Sequence, residues 1–229
     1  MSVTRFYCPE MHAEGNALVN WSGRPLEDLI TYAETYRSAA CRLVHAHREL
    51  RLNAPDHCAL PILFLYRHSL ELFLKAIVYY GAQESIAKAD LTAAIPSLWK
   101  EHSLLKLHQM ATPILQSNPG LDIDPNDLYI RLANTASAID AFDARSYSFR
   151  YPVTTSGSSS LPTAFLVNIF FYSDEMESLL DTCLTFCRGL KRDATQSSTQ
   201  MKLTLHSPNR RTDFPVDKSI TKPKSNSRA

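Results

Sequence analysis

Glycine is scarce in this chain, with 6 residues in 229. That excludes a fold built on many tight turns, and it excludes the glycine-rich loops that cradle nucleotide phosphates. Long apolar runs are also missing. No stretch of about eighteen uncharged apolar residues occurs, so no membrane span is expected. The five cysteines, Cys8, Cys41, Cys58, Cys183 and Cys187, are odd in number and widely spaced, and no signal peptide precedes them. The expected setting is a reducing cytoplasm. Cys183 and Cys187 are not completed by a second cysteine or histidine pair at zinc spacing, so they read as small core residues and no metal is expected. There is no HExxH, nucleophile elbow or phosphate loop, and no cofactor is expected.

Charge is nearly balanced overall, at +1, but unevenly placed. Residues 191–229 hold 9 Lys+Arg against 3 Asp+Glu, while the rest of the chain holds 15 against 20. The acidic body is not that of a strongly electrostatic nucleic-acid binder. The basic stretch from 191 onward is rich in Ser, Thr, Lys and Pro without an apolar period, and it reads as a disordered tail.

What is present is helical periodicity. After an irregular lead-in over residues 1–25, apolar side chains recur at steps of three and four from Leu26 to Leu50, which predicts a helix over 26–52 with Pro25 at its start. A second helix is expected from Cys58 to Tyr80, terminated by Gly81. It is followed by a short helix and loop over 82–100, and by an amphipathic helix from His102 that contains Pro113. Another helix opens at Asp124-Pro125 and runs to Ala141. In the cluster Asp122, Asp124 and Asp127 the spacing lacks the glycine and distal glutamate of a calcium loop, so it reads as helix capping. "DARSYSFRYPVTTSGSSS" is a loop or short hairpin, and residues 161–190 form the last helix, with an apolar stripe at 165, 169, 172, 176, 179, 183, 187 and 190. The expected fold is an all-α bundle of four to five main helices in a single domain over 26–190.

Within the second helix, "YRHSLELFLK" places four ionisable groups in an apolar setting. At about 100° per residue, Arg67, His68, Glu71 and Lys75 fall within one stripe on an otherwise apolar cylinder. Two readings follow. In one, Arg67–Glu71 and Glu71–Lys75 pair at i,i+4, and His102, Arg150 and Tyr151 help satisfy a buried network. In the other, Arg67, His68, Lys75, His102 and Arg150 line a cleft for a phosphate or nucleobase, with Tyr147 or Tyr151 as a stacking face. The paired network is favoured because buried charge is normally retained only with a partner. In both, Glu71 orients cations and does not act as a base. Arg67, Glu71, His102 and Arg150 are expected to meet in space.

The order "LPILFLYRHSLELFLKAIV", "KEHSLLKL", "DARSYSFRYPV" resembles the HEPN-like (higher eukaryote and prokaryote nucleotide-binding) helical domains of bacterial proteins. These carry an R-H-x-x-E-x-x-x-K helix, a G-H-x-L-x-x-L segment and often an F-R-Y-P turn. Glu101 stands where that second segment has glycine. The resemblance, over about residues 26–190, implies a helical bundle, a homodimer and an association with RNA or nucleotides, in bacterial defence or stress, with a possible protein partner encoded nearby. Several branches are metal-independent ribonucleases that use an arginine and a histidine four to six residues apart near the start of a late helix. Here residues 161–190 contain no histidine. Arg42 and His47 have the spacing but point about 140° apart on a helix. The expectation is therefore an interaction module lacking the complete pair. The alternatives are a ribonuclease that uses His68 or His102, and a structural dimeric protein without a ligand.

Overall fold

The structure is a computed structural model that describes residue 17 and residues 22–50, 56–85, 96–117, 123–161 and 164–205. Five long helices make up the body: α1 (Leu29–Leu50), α2 (Asp56–Ser85), α3 (Leu104–Ser117), α4 (Pro125–Asp143) and α5 (Ile169–Leu205). Residues 96–100 add a helical turn, and a single β-bridge, Val153 with Ser159, is the sole extended pairing among the described residues. The all-α bundle is as expected.

α2 is the central helix and packs on α1, α5 and α3. Its side chains Ile62, Tyr66, Leu70, Phe73, Leu74 and Ile77 are fully buried. α1 and α5 lay apolar stripes against it, through Ala33, Ala40 and Val44 on one side and Met176, Leu180, Cys183, Cys187 and Leu190 on the other. Both cysteines of α5 are core residues, as read from the sequence. Burial pushes the Cys183 thiol up to about 12 and that of Cys187 well above the ordinary 9.0, which favours the neutral thiol in both. α3 packs on the remaining face of α2 and pairs with α4, which also touches α5.

Several boundaries differ from the sequence reading, each for a physical reason. α2 does not stop at Gly81; it continues to Ser85. Gly81 instead marks a close helix crossing, because a Cβ there would lie 2.7 Å from Ile114 Cγ1 on α3. A glycine inside a helix carries this second meaning. α5 begins at Ile169, not at 161. Residues 164–168 are non-helical, and the Asn168 side chain accepts from the Phe170 and Phe171 amides at 3.1 Å, which caps the helix start. The same helix runs through 191–205, so the expected disordered tail does not begin at 191. Residues 206–229, most of the lead-in, and the connections 51–55, 86–95 and 118–122 lie outside the described residues. Asp124 does cap α4, accepting from Asn126 N at 2.9 Å with Pro125 at the first position. The loop-or-hairpin segment is a small hairpin: Thr154 N donates to Ser158 O at 2.8 Å and Ser160 N to Pro152 O at 3.0 Å. No helix among the described residues is long and apolar enough to cross a membrane.

Candidate functional site: a buried charge network with an exposed histidine

The polar seam of α2 faces the α3–α4 pair and is closed almost completely. Arg67 is 0% exposed and Glu71 1%. One helical turn separates them, and Arg67 Nη1 donates to Glu71 Oε2 at 2.8 Å. Lys75, another turn on, donates to Glu71 Oε1 at 2.8 Å. The other Arg67 donors leave the helix. Nε donates to the Asp143 carbonyl at 3.0 Å, and Nη2 donates to the His102 carbonyl at 2.6 Å. One guanidinium therefore ties together α2, the end of α4 and the approach to α3.

Asp143 is the member that sequence reasoning missed. It is fully buried at the last position of α4. Its Oδ2 lies 3.2 Å from Arg67 Nε without an aligned hydrogen, while its Oδ1 accepts from the backbone of Tyr147 at 2.5 Å and Ser148 at 2.7 Å. The site thus holds two cations and two carboxylates and is neutral before His102 is counted. Asp143 opens the stretch "DARSYSFRYPV", and its helix-end position is what turns the side chain inward and shapes the following loop. Burial alone would raise the pKa of Glu71. The hydrogen bonds and charges of Lys75 and Arg67 outweigh it and hold the carboxyl below its ordinary 4.5.

His102 sits at the rim. Its Nδ1 is 2.9 Å from Glu71 Oε1, yet its side chain is 51% exposed. The free amide groups at the start of α3 are not available to a ligand, because neighbouring carboxylates fill that end. Asp140 of α4 accepts from the Leu104 and Leu105 amides at 3.1 and 3.0 Å and from the Ser103 hydroxyl at 2.7 Å. Glu101 accepts from the amides of His102 and Ser103 at 2.9 and 2.8 Å. An anion at this helix start would displace two carboxylates that already occupy the positive end of the dipole.

Of the four side chains expected to meet, Arg67, Glu71 and His102 do, while Arg150 makes no hydrogen bond to them. Arg150 is exposed, and its Nε donates to the Ser146 carbonyl at 2.6 Å. Its guanidinium carbon lies 5.4 Å from both the Phe64 and the Tyr151 ring centroids. Tyr151 is 48% exposed and its ring packs on Tyr147 at 4.7 Å. His68 stands at the edge of the seam, outside the hydrogen-bonded network. It stacks on Phe64 at 5.6 Å and meets Tyr36 edge-on at 4.4 Å. Its pKa is depressed by burial; Glu71 opposes the shift, and the charges of Arg67, Lys75 and Arg150 add to it. Arg150 therefore shares the His68 surroundings with the network without joining it.

The pair Arg42 and His47 diverges as the helical geometry requires, with Arg42 exposed and His47 buried against Phe170. α5 contains no histidine. Among the described residues no cluster of three or more His, Cys, Asp or Glu side chains is placed to hold a metal ion. Chemically, the interior of the site is a closed ion network, and its solvent side offers one imidazole, one guanidinium and two tyrosine rings. No family model matches the chain, and neither a curated protein nor a solved structure shows similarity to it.

Proposed function

We propose that this chain is a HEPN-like interaction module that associates with RNA or a nucleotide without the arginine–histidine ribonuclease pair, in the cytoplasm of a bacterium. The observation that carries the reading is the presentation of Arg150. Its stem is fixed by the Ser146 carbonyl and by two aromatic rings, while among the described residues its terminal amino groups make no hydrogen bond. A guanidinium held in this way is pre-organised for a phosphate, and the neighbouring Tyr151 face suits a base. Arg67 and Lys75, by contrast, are committed to Glu71. We assign them to stability and not to the ligand.

Fluorescence-polarisation binding with short RNA and with nucleotides tests this. Arg150→Ala is expected to weaken binding at least tenfold, the loss of one charge-assisted contact of about 1.5–3 kcal/mol, with the melting temperature unchanged. Equal binding by wild type and variant, or no binding by the wild type, refutes the reading. The apolar side chains Leu60, Leu166 and Phe171 are exposed, and we assign them to pairing with a second copy of the chain. A strict monomer in light scattering at micromolar concentration refutes that assignment.

A further inference from the structure

His102 differs from every other described histidine. His47 and His108 are buried, His68 is half-buried, His57 is exposed, and His45 makes a pair with Glu49 in which both side chains are about two-thirds exposed. His102 alone joins an exposed ring edge to a carboxylate in the interior. Its Nδ1 is 2.9 Å from Glu71 Oε1, and the Glu71 side chain is 2% exposed. Lys75 bonds the same oxygen at 2.8 Å and Arg67 the other oxygen at 2.8 Å, which keeps Glu71 ionised. An ionised carboxylate accepts only, so the hydrogen of the neutral imidazole must be on Nδ1. The lone pair is then on Nε2, for which no hydrogen-bond partner is found among the described residues. The backbone of His102 is held too, by Arg67 at its carbonyl and by Glu101 at its amide. The ring is fixed in tautomer and in place.

We infer that Glu71 and His102 form a carboxylate–imidazole dyad that presents a fixed Nε2 lone pair to an O–H or N–H donor of a bound ligand. The donor class follows from the lone pair, which a group without a hydrogen cannot use. Nδ1–H stays on Glu71, which sets the tautomer. His102 is the acceptor and Glu71 the positioning residue. This site is separate from binding through Arg150, and its two defining properties, the tautomer and the open lone pair, are read without a ligand.

Two readouts on the full chain test it. Nitrogen-15 NMR of the imidazole rings reads the tautomer, and the expected result for His102 is hydrogen on Nδ1 and a lone pair on Nε2. Competitive carbethoxylation with diethyl pyrocarbonate, mapped by mass spectrometry, reads the availability of that lone pair. His102 is expected to react several-fold faster than the exposed His45 and His57 of the same molecule. Glu71→Met with Lys75→Met removes one charge of each sign, so the network stays neutral, and it leaves no acceptor at position 71 for Nδ1–H. In that variant the tautomer bias and the rate advantage should both disappear while cooperative melting is retained. A hydrogen on Nε2 in the wild type, or a His102 rate no higher than that of His57, overturns the inference. So does a folded double variant that keeps both properties. If the double variant does not fold, the wild-type tautomer and rates decide alone.

Discussion

Replacing Glu71 with alanine tests the site where its electrostatics are most exacting. The carboxylate is 1% exposed and takes bonds from Arg67, Lys75 and His102 at 2.8, 2.8 and 2.9 Å. Its removal does not strand the two cations equally. Arg67 retains Asp143, whose Oδ2 is 3.2 Å away, and the carbonyls of Asp143 and His102. Lys75 loses the only carboxylate with which it forms an ion pair among the described residues. Breaking a buried pair on one side costs about 3–5 kcal/mol, because the remaining charge stays desolvated. The Lys75 side chain is 7% exposed, too closed for its ammonium to regain water without local opening. Equilibrium urea unfolding should therefore show a loss of about 3–5 kcal/mol for Glu71→Ala, and adding Lys75→Met should restore a good part of it. A loss below about 1 kcal/mol, the size of an exposed pair, would refute the reasoning, as would strictly additive single-variant effects.

At Gly81, valine should destabilise the bundle by about 1–3 kcal/mol, the usual cost of overpacking, and Ile114→Ala should recover part of that loss in the same unfolding assay. Stability should also fall with acid in two steps. His68 has its folded pKa depressed below 6.5, so the unfolded chain binds more protons and stability declines as pH drops below that value. Glu71 is depressed below 4.5, so its contribution is full above that value and is lost as pH falls further. Melting temperatures of wild type and His68→Phe across this range check the first step, which the variant should lack. Deleting 206–229 should leave the melting temperature within a few degrees, whereas a cut at 191 removes buried Ala194 and part of α5 and should lower it.

The helices were legible because burial imposes a period of 3.6 on apolar side chains, and the stripes of α1 and α5 carry it plainly. The seam of α2 was legible for the same reason, since charges at i,i+4 on an apolar cylinder must pair. What local pattern did not reveal was tertiary. Gly81 has the residue type of a terminator, and only the approach of Ile114 shows it to be a crossing point. Asn168 caps α5 in the middle of "FLVNIFF", where the apolar residues on both sides resemble a continuing helix. Asp143 and Asp140 act on elements 35 or more positions away, Asp140 by capping α3, and no spacing rule reaches that far.

The placement of those two aspartates also decides how the site divides. With Asp143 beside Arg67 and Asp140 on the amides of α3, the positive groups a phosphate would seek inside the bundle are already matched by protein carboxylates. A ligand entering there would have to replace ion pairs at least as short as any it could form. In the proposed function, recognition falls to groups whose buried sides are held and whose outer sides are open. Arg150 meets that condition through its Nε and two rings. His102 meets it through Nδ1 and its backbone. The network behind His102 is neutral and closed and fixes that imidazole, while Arg150 is held apart from it by the Ser146 carbonyl and its two rings.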